Sequence, residues 1–140
     1  MPDPSSLDDE TLAYAHRMFD LARDGETVRL AAEVDAGLPV NLTNDKGDSL
    51  LILASYYARP DTVAALLARG ADPHRVNDRG QTALAAAVFR QSAPIVTDLL
   101  AAGADPYAGG PNAVDTARFF DLPEMLTLLD AAATNDPSPS

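Results

Sequence analysis

The chain has 140 residues, with 10 Lys plus Arg against 21 Asp plus Glu, for a formal net charge of −11. That length is enough for one domain with its own core, and the charge repels phosphate backbones and anionic lipid surfaces, which argues against nucleic acid and membranes as partners. Cysteine is absent, so disulfides, thiolate nucleophiles and Cys-based zinc sites are excluded and a reducing compartment is permitted.

In chain order, the opening residues MPDPSSLDDE are acidic where an export signal needs a basic start and an apolar run. No stretch reaches the roughly eighteen uninterrupted apolar residues of a bilayer span. A soluble, cytoplasmic protein is therefore expected. Residues 1–7 and 133–140, rich in Pro, Ser and Asp and without periodicity, read as disordered ends. Asp8, Asp9 and Glu10 suit the start of a first helix through its dipole.

Between these ends the chain repeats itself. "LLARGADP" at Leu66–Pro73 returns as "LLAAGADP" at Leu99–Pro106, an offset of 33 residues. The same offset carries Gly47 to Gly80, Ser49 to Thr82, Leu51 to Leu84, Ala54 to Ala87, Val63 to Val96 and Gly70 to Gly103. Four units follow from this register. The first, 8–44, is degenerate but keeps Gly25, Leu30, Val34, Gly37 and the Val40-Asn41 pair. The units 45–77 and 78–110 are regular, and 111–132 is truncated, with Val114 and Ala117 in its first helix and Met125, Leu126 and Leu129 in its second. Each unit holds two short apolar-periodic stretches that need burial on both sides, so stacking supplies the core. Atypical first and last units suit terminal caps that present a polar face to water.

Local signals place the helix ends. Pro60, Pro94 and Pro123 fall at the start of second helices, where a missing N–H costs nothing. Ser92 and Asp121 are candidate N-caps, and Gly37, Gly70 and Gly103 follow the last turns, where a left-handed residue is wanted. Leu67 and Leu100 are expected in the seam, with truncation to Ala costing about 2–5 kcal/mol.

The segments "GDSLLILA" with "TVAALLARGAD", and "GQTALAAA" with "IVTDLLAAGAD", resemble the ankyrin repeat. The family's Pro and His are missing from its TPLH segment, where Leu50-Leu51-Ile52 and Ala83-Leu84-Ala85 stand, so looser helix starts are expected. The resemblance implies an all-α solenoid of about four helix-turn-helix repeats joined by short β-hairpin-like loops. It also implies a non-catalytic module that binds another protein through a concave groove, as adaptor, inhibitor or accessory subunit. A monomer is expected, with a homodimer as the alternative. The rival readings are a self-associating scaffold and a small-ligand-binding or enzymatic protein using the groove.

Reactive constellations do not assemble. His16 and His74 lie 58 residues apart with no HExxH pairing for zinc. No GxSxG surrounds a serine, no phosphate-loop Gly-Lys-Ser/Thr occurs, and Gly109-Gly110 lacks a third glycine. "NDKGD" at Asn44–Asp48 has acids around a glycine but no Glu twelve positions along, and reads as a turn. Asp72 and Asp105 read as turn residues bonding backbone. No catalytic residue, cofactor or metal is assigned.

The repeat register instead collects aromatics. Two residues after Ala54, Ala87 and Ala117 come Tyr56, Phe89 and Phe119; three residues after come Tyr57, Arg90 and Phe120. By the resemblance these slots close the first helix of each unit and face the groove, and the loop tips Asp45, Lys46 and Asp48, then Asp78, Arg79 and Gln81, line it too. Adjacent rungs are expected about 10 Å apart, the spacing of packed helices. The bland alternative turns Tyr56, Phe89 and Phe119 inward to fill an Ala-rich core. Lys46, His74, Arg75, Arg79 and Arg90 gather along the same side as a basic rim suited to an acidic segment, or as ordinary solvated charge.

Overall fold

The first helix of each later unit starts on a side-chain cap. Ser49, Thr82 and Asn112 hold extended backbone and accept hydrogen bonds from the N–H groups of Ile52 (3.0 Å), Ala85 (3.1 Å) and Asp115 (2.7 Å). Each cap satisfies one of the donors a helix leaves open at its N-terminus. The looser starts expected from the missing Pro and His are therefore not found, because a hydroxyl or amide oxygen does the capping instead.

The computed structural model describes residues 4–134, with side chains from residue 9 to 131. Eight helices run in order: α1 Pro4–Asp24, α2 Thr27–Asp35, α3 Leu50–Tyr56, α4 Pro60–Ala68, α5 Ala83–Phe89, α6 Ala93–Ala101, α7 Ala113–Phe119 and α8 Pro123–Thr134. They pack in two layers, with α1, α3, α5 and α7 side by side in one and α2, α4, α6 and α8 behind them. The connections after α2 and α4 turn through single antiparallel bridges, Thr43 to Ser49 and Val76 to Thr82. This is the all-α repeat solenoid read from the sequence.

Three expectations at the ends need correcting. Helix α1 begins at Pro4, inside the stretch 1–7 assigned to disorder, and α8 runs to Thr134, past the boundary drawn at 132. The rest of those two calls, on 1–3 and 135–140, lies outside the described residues. With α1 starting upstream, Asp8, Asp9 and Glu10 stand beyond its first turn, where the dipole contributes less.

The seam between the layers is made by small and branched side chains in repeat register. Every residue from Leu50 to Ser55 and from Ala83 to Val88 is buried, since these helices have neighbours on both sides. In the second layer the fully buried leucines are Leu30, Leu66, Leu99 and Leu129, at 1%, 1%, 0% and 2% exposure, the last three at one repeat position. Leu67 and Leu100, the leucines expected there, are only partly buried. The apolar pair in "LL" looked symmetric, but only its first member points between layers.

The turn joining the two helices of each unit has one left-handed residue, at Gly25 (φ 72°), Ala58 (57°), Gln91 (57°) and Asp121 (53°). Asp121 is thus a turn residue and not the cap expected from its place before Pro123. Ser92 does occupy the N-cap of α6 but makes no side-chain cap bond. Gly37, Gly70 and Gly103 all adopt positive φ after their helices, as the sequence indicates.

Candidate functional site

The loops that lead into α3 and α5 are built by an asparagine each. The Asn44 side-chain oxygen accepts from the N–H groups of Lys46 and Asp48, and that of Asn77 from Arg79 and Gln81, all at 2.9 Å. "NDKGD" is therefore a closed turn. The loops also join sideways: the Asp78 N–H donates to the Lys46 carbonyl and the Gly110 N–H to the Gly80 carbonyl, both at 3.0 Å. Gly47 is required by this approach, since a Cβ there would lie 2.9 Å from the Asp78 nitrogen at an already left-handed φ of 77°. The result is a continuous wall of loops standing beside the helices α1, α3, α5 and α7.

Opposite that wall, the helix ends carry the aromatics. Tyr56, Phe89 and Phe119 are the last helical residues of α3, α5 and α7, with Tyr57, Arg90 and Phe120 at the C-caps. All six are exposed: the rings of Tyr56, Tyr57, Phe89 and Phe120 at 41–49% and Phe119 at 80%. The inward alternative is thus not what the fold adopts. Alanines at Ala54, Ala87 and Ala117 bring the neighbouring helices close, leaving no interior volume for a ring.

The rings touch in an unbroken series. Tyr57 meets Tyr56 edge-on at 5.3 Å, Tyr56 stacks with Phe89 at 6.2 Å and an interplanar angle of 9°, Phe89 meets Phe120 at 5.3 Å, and Phe120 meets Phe119 at 4.9 Å. The rungs lie closer than the helix spacing anticipated, because the side chains lean together over the small residues beneath. Register also shifts at the third rung, where Phe89 contacts Phe120 and not its repeat counterpart Phe119.

Wall and rings enclose a groove of two adjoining hollows. One, about 640 Å³, runs from His16, Phe19, Asp20 and Arg23 of α1 past the first loop to Tyr56 and Tyr57. The other, about 500 Å³, is bounded by Phe89, Phe119 and Phe120 with Pro111, Asp115 and Thr116. Tyr56, Arg79, Gln81 and Ala86 belong to both. Of the residues singled out in the sequence, Asp45, Lys46, Arg79 and Gln81 line the groove with the five aromatics. Asp48 touches the first hollow but is 7% exposed, and its carboxylate accepts from the Asn77 side-chain amide at 2.9 Å. It is a strut between loops, which corrects its reading as a free tip. Asp78 and Arg90 are exposed but outside both hollows.

Arg75 of the basic rim pairs with Asp72 in its own turn at 3.5 Å. Asp72 and Asp105 accept from the N–H groups of His74 and Tyr107, each at 2.9 Å, the backbone role read for them. The α1 contribution was missed by the sequence reading. Its signal was present, because Arg23 lies 33 residues before Tyr56, but the first unit's degeneracy hid the register.

Titration is perturbed at Tyr14, Asp35 and Arg69. A hydrogen bond to Glu33 raises the Tyr14 phenol, with burial and the carboxylate's charge adding to it. The Asp35 carboxyl is held down by the Arg69 guanidinium, bonded at 2.9 and 3.2 Å, and Arg69 is raised in turn. Among the described residues, no group of three or more His, Cys, Asp or Glu could hold a metal ion, and no helix is long and apolar enough to cross a membrane.

Paired helices stacked in register, bridged by laterally bonded loops, define a helical-repeat solenoid of the kind that presents a groove. A family model described as ankyrin repeats in three copies matches residues 18–109, and the chain belongs to the ankyrin repeat family. A stretch of 57 residues is 56% identical to a Pseudomonas aeruginosa protein named for its ankyrin repeats, covering 41% of this chain and 33% of that relative. The match thus spans about a third of the relative's length. Ankyrin repeats are generally protein-protein interaction modules, and the family is typically non-catalytic.

Proposed function

We propose that this protein is a non-catalytic module that binds a partner protein in the groove between the loop wall and the helix ends, as an adaptor, inhibitor or accessory subunit. The observation that carries this is the unbroken series of five exposed rings from Tyr57 to Phe119. Large aromatics exposed side by side are what an association surface buries, and Tyr with Arg is the pairing that dominates interface energetics. The rings stand on helix ends fixed by packing, and the loops are closed by asparagine and joined to each other. Binding therefore does not have to order the receptor, which removes one of the main costs of association.

The test is capture from an extract of the native cell with the wild-type chain and with a Phe89→Ala/Phe120→Ala variant. The expected result is a protein retained by the first and lost by the second, with both variants melting within a few degrees of each other. Equal retention would sink the groove reading. So would a loss of more than about 2 kcal/mol in stability, which would make the rings structural. Sedimentation of the purified chain is expected to give a monomer. A mass that rises with concentration and falls back on Phe89→Ala would assign the groove to a second copy of the chain.

A further inference from the structure

The two hollows differ in a way that says what a bound segment must carry. The second is walled by rings and contains two charged residues, Arg79 and Asp115. The first adds Lys46 and Asp45, together with an Arg23 already paired to Asp20 at 2.8 Å and an Asp48 already engaged by Asn77. Lys46 and Arg79 occupy the same repeat position on successive loops. Neither side chain has a hydrogen-bond or ion-pair partner among the described residues, whereas Arg23, Arg69 and Arg75 are all paired. Arg79 alone among the cations belongs to both hollows, so an unpartnered guanidinium on the loop wall borders the middle of the groove, across from the series of rings.

Resting on the groove reading above, we propose that the occupant is a segment of a partner protein with bulky apolar side chains and one carboxylate next to them. The apolar groups cover Tyr56, Phe89 and Phe120, and the carboxylate pairs with Arg79. A guanidinium fork matches a carboxylate in two parallel hydrogen bonds, and those bonds strengthen when neighbouring rings exclude water. The number of acids is bounded from above. The chain as a whole carries −11, and Asp45 and Asp115 flank the site, so a run of acidic residues would be repelled where a single one is held.

A random dodecapeptide library displayed on phage tests this against the full chain, its Arg79→Glu and Arg79→Lys variants, and the Phe89→Ala/Phe120→Ala variant. The wild type is expected to enrich peptides with two or more bulky apolar residues and one Asp or Glu. An enriched peptide should bind Arg79→Glu at least about tenfold more weakly, with Arg79→Lys in between, as for loss of a desolvated charge pair. Panning on Arg79→Glu should exchange the acid for Lys or Arg. Peptides without a carboxylate, binding indifferent to Arg79→Glu, or no enrichment at all would overturn the proposal. Peptides held equally by the Phe89→Ala/Phe120→Ala variant would overturn the groove reading itself. Arg79 is exposed and unpartnered, so its variants should keep the wild-type melting temperature, and Arg79→Gln serves as the neutral control.

Discussion

At the repeat position where the later units bury Leu66, Leu99 and Leu129, the first unit has Glu33. Its carboxylate is half-buried and takes a hydrogen bond from the Tyr14 hydroxyl. The number of neighbours permits the contrast without requiring it, since α8, at the other end of the described stack, still buries Leu129. Among the described residues, α4 packs between α2 and α6, while α2 packs chiefly against α1 and α4. A helix covered on both sides must bury an apolar group at the seam, because an unpaired charge there loses its hydration. A helix covered on one side can keep a carboxylate that leans toward water and finds a phenol. The units are therefore not interchangeable modules, and the cost of a change depends on where in the stack it is made.

The largest effect that would test this contrast is truncation in the seam. Leu99→Ala should cost about 2–5 kcal/mol in chemical denaturation. Leu100→Ala, half-buried on the same helix, should cost clearly less, and Leu129→Ala should fall below Leu99→Ala because, among the described residues, α8 packs mainly against α6 and α7. Equal losses at all three would break the comparison. Next comes Asn77→Ala, which removes the acceptor of two loop N–H groups and the donor to a buried carboxylate, at a cost of about 1–3 kcal/mol. Hydrogen exchange should then open residues 76–82 before the helices.

A gain is expected at the turn between helices. Gly25 meets its left-handed φ freely, but Ala58 adopts 57° with a Cβ. Ala58→Gly should stabilise the chain by up to about 1 kcal/mol, the cost of a left-handed L-residue less the entropy of glycine. The smallest effect belongs to the exposed pair of Asp35 and Arg69 on the outer layer. The folded carboxyl lies below its ordinary value of 3.8, so its contribution is present above that value and is lost as pH falls through the depressed one. Asp35→Asn should lower the melting temperature slightly at neutral pH and low salt. The difference should vanish in acid and in about 1 M NaCl, where exposed charges are screened.

Repeat order and the Pro and Gly positions at the helix ends were legible because each rests on spacing and local chemistry, whereas the caps were not: Ser49, Thr82 and Asn112 make the side-chain cap bonds, not Ser92 or Asp121. What else escaped depends on contacts between units. The "LL" pair could not show that Leu66 and Leu99 carry the seam, because both members are apolar and adjacent. Asp48 looked like a loop tip until Asn77, 29 positions on, was seen to hold its carboxylate. The aromatic slots were readable from the register. Their outward direction was not, because it depends on how closely the alanine-lined helices approach.

The connection into α7 is three residues shorter than its predecessors, so Asp105–Asn112 has no counterpart to Asn77 and its turn. The loop wall therefore ends at Gly110, bonded to Gly80, while the floor of rings continues to Phe119. One end of the trough has no side rail. An occupant of the groove proposed above would meet no rail among the described residues in that direction, an arrangement open to an internal stretch of polypeptide as well as to a free terminus.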